Sequence, residues 1–324
     1  MFGGLISKSV LLGLAVTLSA CSEQKFGLPS QTVETIQTVT YNNKVDILFV
    51  MDNSTSMLQH QENVAKQVDP LLDELLSKNL DLHIGVTTTD MGAGGQQGAM
   101  QGTPAYMTAQ TPNLKLELRK RLVQGDLGSN LERGLEAVQK AFSGNNLTGP
   151  NQGFLREEAF LMIIIIADEE DHSANTPQSY IDFLNSLKPP DSDGGKNWIL
   201  NFIGVLEPST TCTTFNSFYS IGLRYIDLVK YSSGIKETIC TADFKNAISN
   251  IRQKILSRLT DYPLNNGAPD VNSIEVLVDG VKVESDPVNG WTYLSEKNVV
   301  RFNGSSIPKD NAKVVINYQP TEAS

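Results

Sequence analysis

Apolar and polar positions follow two different periods along the first four-fifths of the chain. Apolar runs of strand length cover Val45–Met51, Leu82–Thr89, Phe160–Ala167 and Trp198–Val205. Between these runs, apolar residues recur every three or four positions, which is the period of an amphipathic helix. Strands that alternate with helices over such a length predict an α/β fold with a doubly wound, mostly parallel sheet.

The strongest strand signal is Phe160–Ala167, which contains four consecutive isoleucines. These side chains are apolar on both faces of a strand, as expected for a central parallel strand that helices cover on each side. The helix after the first strand contains Pro70, which should kink or split it. Further helices are predicted from Ser129 onward and over Gln178–Leu187, Ile221–Tyr231 and Ala242–Leu259.

After Pro263 the pattern changes to short strands with turn residues between them. Asp279-Gly280 lies between two such strands and is a strong hairpin signal. We therefore expect an α/β domain over 45–261 and a small β-sandwich-like domain over 262–324.

The amino terminus has the features of a targeting segment. Lys8 precedes the apolar run Val10–Leu18, which is too short to cross a bilayer but suits the core of a signal peptide. Leu18-Ser19-Ala20-Cys21 resembles the bacterial lipobox, which implies cleavage before Cys21 and its lipidation. Residues 1–20 are then a signal peptide, and 21–44 are a lipidated Cys21 with a flexible tether. The alternative is an ordinary secreted protein cut after Ala20.

Export to an oxidising compartment bears on the two other cysteines. Cys212 and Cys240 can form one disulfide there, and the alternative is two free buried thiols. The formal net charge of −10 gives the chain no electrostatic reason to bind nucleic acid.

Two of the predicted strands end in acidic residues. Asp52, Ser54 and Ser56 follow the first strand, and Asp168 follows the isoleucine strand. Ligands of open α/β sheets bind at the carboxyl ends of the strands, where these side chains are expected to converge. Carboxylate and hydroxyl oxygens suit Mg²⁺, and also Mn²⁺ or Ca²⁺, rather than zinc.

This order of residues resembles the von Willebrand factor A (VWA) domain. That family has a metal-ion-dependent adhesion site with an Asp-x-Ser-x-Ser loop, a distant Thr and a distant Asp. Asp52, Ser54 and Ser56 match the loop, and Asp168 matches the distant acid. Ser129, after Gly128, takes the place of the Thr. The resemblance covers roughly residues 45–260.

The resemblance implies a non-enzymatic binding protein. Ser54, Ser56 and Ser129 would coordinate the cation directly, while Asp52 and Asp168 act through waters. A partner protein would supply an Asp or Glu to the open position. Asp90, Glu169 and Asp171 are candidates for the rim or for a second cation site.

The same residues have plainer readings. Ser129 and Glu132 form a capping-box pattern, and Ser54 or Ser56 could cap the first helix. One alternative function is an envelope scaffold or assembly protein with a non-functional metal site. Another is a haloacid-dehalogenase-like phosphatase, although Ser54 stands where those enzymes carry a second acid.

Other segments resemble bacterial surface lipoproteins that contain a VWA domain. They are Gly153-Phe154-Leu155-Arg156, the stretch Asp168–Ser173, and the cysteines Cys212 and Cys240. Ser22 after the lipidated position implies sorting to the outer membrane in bacteria that have one. The sequence thus predicts an exported protein anchored in the cell envelope.

Overall fold

The computed structural model describes residues 35–40, 42–78, 80–190, 195–208, 212 and 220–321. The predicted signal peptide, Cys21 and the first part of the predicted tether lie outside these residues. Within the described part of the chain, no helix has both the length and the apolar character needed to cross a bilayer.

A six-stranded sheet forms the centre of the α/β part. Its strands are β2 Lys44–Met51, β3 Asp81–Thr88, β4 Tyr106–Thr108, β5 Phe160–Ala167, β6 Trp198–Gly204 and β7 Lys236–Thr238. Their spatial order is β4-β3-β2-β5-β6-β7, and every pairing is parallel except that of β3 with β4. The chain moves outward from β2 to β3 and later returns to the other side of β2 with β5. This reversal produces a crevice at the carboxyl ends of β2 and β5.

Helices cover both faces of the sheet. They are α1 Leu58–Gln67, α2 Asp69–Ser77, α3 Leu114–Leu122, α4 Gly134–Ala141, α5 Gly144–Thr148, α6 Pro177–Leu187, α7 Leu223–Ser232 and α8 Lys245–Thr260. Alternate residues of β5 point to opposite faces: Ile164 packs in the core with α1, α2, α3 and α8, whereas Ile163 packs with α4, α6 and α7. The predicted doubly wound α/β class is therefore confirmed.

The split expected at Pro70 is confirmed, since α1 ends at Gln67 and α2 begins at Asp69 with the proline in its first turn. The helix expected from Ser129 begins only at Gly134. The short elements β4, α5 and β7 were not predicted, since three to five residues are too few to show a period.

Arg156 joins the amino end of β2 to the segment that enters β5. Its Nε donates to Oδ1 of the buried Asp46 at 2.9 Å, and its backbone N donates to Oδ2 at 2.8 Å. Phe154 of the same segment is fully buried and stacks on Phe142 with 6.0 Å between ring centroids. The Gly-Phe-Leu-Arg segment thus has a structural task, which is to fix β5 beside β2.

The predicted disulfide between Cys212 and Cys240 is present. It ties the segment after β6 to the segment after β7, with 4.5 Å between the two Cα atoms.

Two antiparallel sheets form the β part of the chain. Their strands are β1 Thr35–Thr40, β8 Asp261–Pro263, β9 Glu275–Val278, β10 Val281–Val283, β11 Trp291–Leu294, β12 Val299–Phe302 and β13 Lys313–Tyr318. One sheet has the order β1-β13-β9-β10 and the other has the order β11-β12-β8. Their core contains Val276, Trp291, Phe302 and Ile316. The predicted all-β character of this part is confirmed.

The strand β1 corrects the predicted tether. It pairs with β13 over six residue pairs, although it lies within the stretch 21–44 that the sequence analysis treats as flexible. Ile36 is exposed, and among the described side chains of β1 only Val39 packs against the β core. The strand therefore has no apolar run from which the sequence could predict it. Because β1 precedes the α/β part and β8–β13 follow it, the α/β part is inserted between strands of the β part.

We predict that deleting residues 35–40 destabilises the β part selectively. Loss of six cross-strand pairs should lower its free energy of unfolding by on the order of 1–3 kcal/mol. The chain has two tryptophans, Trp198 in the α/β core and Trp291 in the β core, so each part has its own fluorescence probe. Denaturant unfolding is measured in Trp198→Phe and Trp291→Phe backgrounds.

The matched control is a deletion of residues 22–34, which keeps β1. We expect this control to leave the Trp291 transition in place. Equal Trp291 midpoints for the two deletions would contradict a structural role of β1.

Candidate metal centre

The pairing of β2 with β5 brings two buried aspartates to one edge of the sheet. Met51 is opposite Ile166, and the backbone N of Asp52 donates to the carbonyl O of Ile166 at 2.9 Å. Asp168 follows one residue after the end of β5. Both aspartate side chains are fully buried. The expectation that the two acid-terminated strands are neighbours is confirmed.

The loop after β2 is folded around the Asp52 carboxylate. Oδ1 of Asp52 accepts a hydrogen bond from the backbone N of Ser54 at 2.8 Å, and the hydroxyls of Ser54 and Ser56 lie 3.4 Å apart. The residue before α1 is Met57, and no side chain caps this helix. The structure thus gives Ser54 and Ser56 no capping role; the Ser54 hydroxyl interacts with Asp52 and the Ser56 hydroxyl with Asp168.

A third buried carboxylate, that of Glu132, joins the two aspartates. Its charge interacts with that of Asp52, and its side chain is fully buried. In the sequence, Ser129 and Glu132 have the spacing of a capping box. Because α4 begins at Gly134, neither residue is placed to make that box. Nothing in the sequence marked Glu132 as buried, since it lies in the loop between α3 and α4, where no apolar period is present.

Five carboxylate oxygens of this group have no hydrogen-bond partner among the described residues. They are Oδ2 of Asp52, both side-chain oxygens of Asp168 and both side-chain oxygens of Glu132. Nearly all buried polar atoms in proteins are hydrogen-bonded, and an unpaired buried charge is costly. Oxygens of this kind suit a bound cation, which would supply the missing interaction.

Burial and mutual repulsion raise the pKa values of all three acids. Burial, followed by the nearby Asp168, raises the pKa of Asp52 to about 8. Burial also raises the pKa of Asp168 to about 6, against an opposing contribution from the Ser56 hydroxyl. Burial and the charge of Asp52 raise the pKa of Glu132 to about 9. A divalent cation would reverse these shifts by stabilising the ionised carboxylates.

Gln61 holds the neighbouring loop against the Asp52 loop. Its Nε2 donates to the carbonyl O of Asp52 at 2.7 Å and to that of Gly125 at 2.8 Å, and its Oε1 accepts from the backbone N of Gln124 at 2.8 Å. The backbone N of Gly128 donates to the carbonyl O of Asn53 at 2.8 Å, and a Cβ at Gly128 would collide with the Asn53 side chain. This close approach explains the glycine before Ser129.

Ser129 lies in this neighbouring loop and is partly exposed. Its Oγ accepts a hydrogen bond from the backbone N of Leu131 at 3.1 Å. Among the described residues, no hydrogen bond joins Ser129 to Asp52, Ser54, Ser56 or Asp168. The loop lies beside the Asp52 loop, and a direct role for the Ser129 hydroxyl stays a prediction.

The acidic residues that follow β5 have different structural roles. Asp168 belongs to the buried group. Glu170 caps α7, because Oε2 accepts from the backbone N of Leu223 and Oε1 from that of Arg224, both at 3.0 Å. This capping role is not visible in the sequence, because the helix that Glu170 caps begins more than 50 residues later in the chain.

Asp171 caps α4 from outside that helix. Its Oδ1 accepts from the backbone N of Leu135 at 3.1 Å, and its Oδ2 lies 3.2 Å from Nε of Arg224 in an ion pair. These contacts give Asp171 a structural role, and its part in a second cation site stays a prediction. Asp90 is likewise engaged in its own turn, where Oδ1 accepts from the backbone N of Gly92 at 2.8 Å.

Raised carboxyl pKa values predict that the metal-free protein loses stability as the pH rises. Between pH about 4 and about 9, the folded state retains protons on Asp52, Asp168 and Glu132 that the unfolded chain has released. The free energy of unfolding should therefore fall with pH in this range, and Asp52→Asn should make the decline shallower. Denaturant unfolding in a chelating buffer at several pH values measures this slope.

The exposed Asp227, on α7, provides a control. Asp227→Asn should keep the slope of the parent chain, and Mg²⁺ should raise stability most at high pH. A stability that rises with pH in the absence of metal would contradict the burial of unpaired carboxyls.

No family model matches the chain, and no curated protein matches it. Solved structures that resemble it include proximal thread matrix protein 1 from the mussel byssus, described with a zinc-occupied MIDAS motif, at 12% identity and a TM-score of 0.41. That alignment covers 68% of this chain and 48% of the mussel protein.

Two pilus adhesins are also similar in structure. The adhesin SpaC from Lactobacillus rhamnosus GG aligns at 12% identity and a TM-score of 0.39, covering 88% of this chain and 41% of SpaC. The adhesin RrgA from Streptococcus pneumoniae aligns at 12% identity and a TM-score of 0.34, covering 89% of this chain and 59% of RrgA. This chain thus spans about half the length of the proteins it resembles.

Proposed function

We propose that this chain is a cell-envelope lipoprotein that captures a protein partner through a divalent cation. In this proposal the α/β part is a VWA-type domain. The Asp52–Ser56 loop, Ser129 and Asp168 hold the cation, and Glu132 adds a carboxylate that the family pattern does not include. The observation that carries the proposal is the set of five buried carboxylate oxygens without hydrogen-bond partners.

The donor set favours a hard cation. Serine hydroxyls and carboxylates offer oxygen ligands alone, which Mg²⁺ prefers and which Mn²⁺ or Ca²⁺ also accept. Mg²⁺ requires six oxygens and retains waters readily, so one coordination position stays exchangeable. An Asp or Glu of the partner replaces water at this position. The interaction is capture without chemistry, and Ser54 leaves the loop without the second acid that a phosphatase would need.

The proposed location follows from the amino terminus and the cysteines. A lipid on Cys21 anchors the chain in the cell envelope, in bacteria with two membranes at the outer membrane. The disulfide between Cys212 and Cys240 is in keeping with an oxidising compartment outside the cytoplasm.

An apolar rim accompanies the proposed cation site. Leu127 is 97% exposed and Leu131 is 52% exposed, and both lie in the loop that Gly128 attaches to Asn53. Exposed apolar side chains close to a binding site offer contact area to a partner. We therefore propose that the partner carries an apolar residue near the acid that reaches the metal.

Asp52→Asn is predicted to weaken Mg²⁺ binding. The substitution keeps the shape of the side chain and removes one buried charge that the cation neutralises. We expect at least a tenfold weaker Kd by isothermal titration calorimetry, with an unchanged circular dichroism spectrum. Asp227→Asn is the control and should bind like the parent chain. Equal affinity of the two variants would contradict a cation beside Asp52.

The same variants serve as baits for partner capture. A pull-down from envelope extract should recover partner proteins in Mg²⁺, lose them on chelation and recover them when Mg²⁺ is restored. The Asp52→Asn bait should recover less partner protein than the parent chain whenever Mg²⁺ is present, and none on chelation. Capture that survives chelation would support the scaffold reading instead.

Leu127→Ser is predicted to reduce partner capture without changing Mg²⁺ affinity. Removing the exposed isobutyl group takes away apolar contact area with the partner but leaves every proposed ligand in place. Leu116→Ser on α3 is the matched control, because Leu116 is 48% exposed and belongs to a different element. If both serine variants capture the partner equally well, the apolar rim has no role in binding.

A further inference from the structure

Three side chains of types that can ligate a metal lie close together beside the Asp52 loop. Glu132, Glu169 and His172 each offer one ligand atom, and these atoms all lie within 4.8 Å of one another. The described residues contain no other group of three or more His, Cys, Asp or Glu side chains with this geometry. The group shares Glu132 with the buried carboxylates described above, whereas Glu169 and His172 are not among the ligands proposed for the Asp52 loop, so it defines a neighbouring position with a different donor set.

Backbone contacts fix the two loops that carry these side chains. The backbone N of His172 donates to the carbonyl O of Glu132 at 2.8 Å. On either side of His172, Oδ1 of Asp171 accepts from the backbone N of Leu135, and Oγ of Ser173 accepts from the backbone N of Glu136 at 2.9 Å. The loop before α4 and the loop after β5 are thereby held together, so the three side chains are brought together before any ligand binds.

Glu132 provides an independent indication of a ligand. It is fully buried, and neither of its carboxylate oxygens has a hydrogen-bond partner among the described residues. The charged groups that act on it are Asp52 and Glu169, which are both acids, and a proton shared with the Glu169 carboxyl is the alternative to a cation. A carboxylate in this position requires a positive charge or a proton. His172 lies on the exposed side of the cluster and leaves a path for an ion from solvent.

The donors determine the class of the ion. Mg²⁺ and Ca²⁺ take oxygen ligands, whereas an imidazole ligand favours Zn²⁺ and related transition metals. Ligand atoms around a tetrahedral zinc are about 3.4 Å apart, given bond lengths of about 2.1 Å. The exposed His172 side chain can close the remaining gap by a change of rotamer.

We propose that Glu132, Glu169 and His172 form a second metal site, which binds Zn²⁺ or a similar imidazole-binding divalent ion. Two carboxylates and one imidazole supply three protein ligands. The fourth position of a tetrahedral ion faces solvent beside His172, where water or a partner side chain completes the shell. The site does not depend on the adhesive function, and its ion differs in class from that of the Asp52 loop.

Isotope-edited NMR of the histidines tests the site directly. The chain has three histidines, so ¹⁵N-histidine labelling gives three imidazole signal sets. The experiment uses the untagged full chain with Cys21→Ser, which removes the thiol outside the disulfide. With Mg²⁺ at saturation, one equivalent of Zn²⁺ should shift one imidazole set, and this set should be absent in His172→Ala. Mg²⁺ alone should not shift it.

Calorimetry with Zn²⁺ in excess Mg²⁺ gives the affinities. His172→Ala and Glu169→Gln should each weaken the Zn²⁺ Kd at least tenfold, and His172→Ala should leave the Mg²⁺ Kd unchanged. Glu157→Gln, at an exposed glutamate outside the cluster, is the control. Asp52→Asn should weaken Mg²⁺ binding at least tenfold yet keep the Zn²⁺-dependent shift of His172, which distinguishes the two positions.

Three results would overturn the proposal. Zn²⁺ affinity could be unchanged in His172→Ala, Mg²⁺ could displace Zn²⁺ one for one, or the parent chain could bind no Zn²⁺. The last result would mean that Glu132 and Glu169 share a proton instead of a metal ion.

Discussion

The buried carboxylates at the carboxyl ends of β2 and β5 are the constraint to which the rest of the α/β part is fitted. Asp52, Glu132 and Asp168 are fully buried and leave five oxygens without hydrogen-bond partners among the described residues. Their like charges repel, and burial opposes ionisation, so their pKa values rise. A fold keeps such a group at a net cost unless a cation offsets it. The proposed metal function follows from this imbalance rather than from likeness to other proteins.

Elements around the site hold its loops in place without contributing to the cation shell. Gln61 ties the Asp52 loop to the loop that carries Ser129, through two donated hydrogen bonds and one accepted one. Within the acidic run after β5, Glu170 caps α7 and Asp171 caps α4. These contacts fix the direction of the run. The acidic stretch Asp168–Asp171 thus contains one candidate cation ligand, Asp168, and two helix caps that hold the stretch in place. Leu127, in the loop that Gly128 joins to Asn53, is almost fully exposed.

The sequence predicted the sheet well because its central strands are buried on both faces and therefore read as unbroken apolar runs. The pairing of β2 with β5 followed, and with it the meeting of Asp52 and Asp168. Glu132 was missed, because a loop residue gains its burial from tertiary packing and leaves no periodic signal. The edge strand β1 was missed for a related reason: its side chains are mostly exposed or half-buried, and its partner β13 lies almost 280 residues later. Ser129 was placed in the correct loop, but its expected helix start moved to Gly134.

The most direct test of the cation site is a crystal structure of the chain with Mn²⁺, phased to show anomalous scattering. The account predicts an anomalous peak at the carboxyl ends of β2 and β5, about 2.2 Å from the hydroxyls of Ser54 and Ser56. Asp52 and Asp168 should face the ion directly or through one water each. A peak found only elsewhere, with these two carboxyl groups protonated and paired with each other, would contradict the account.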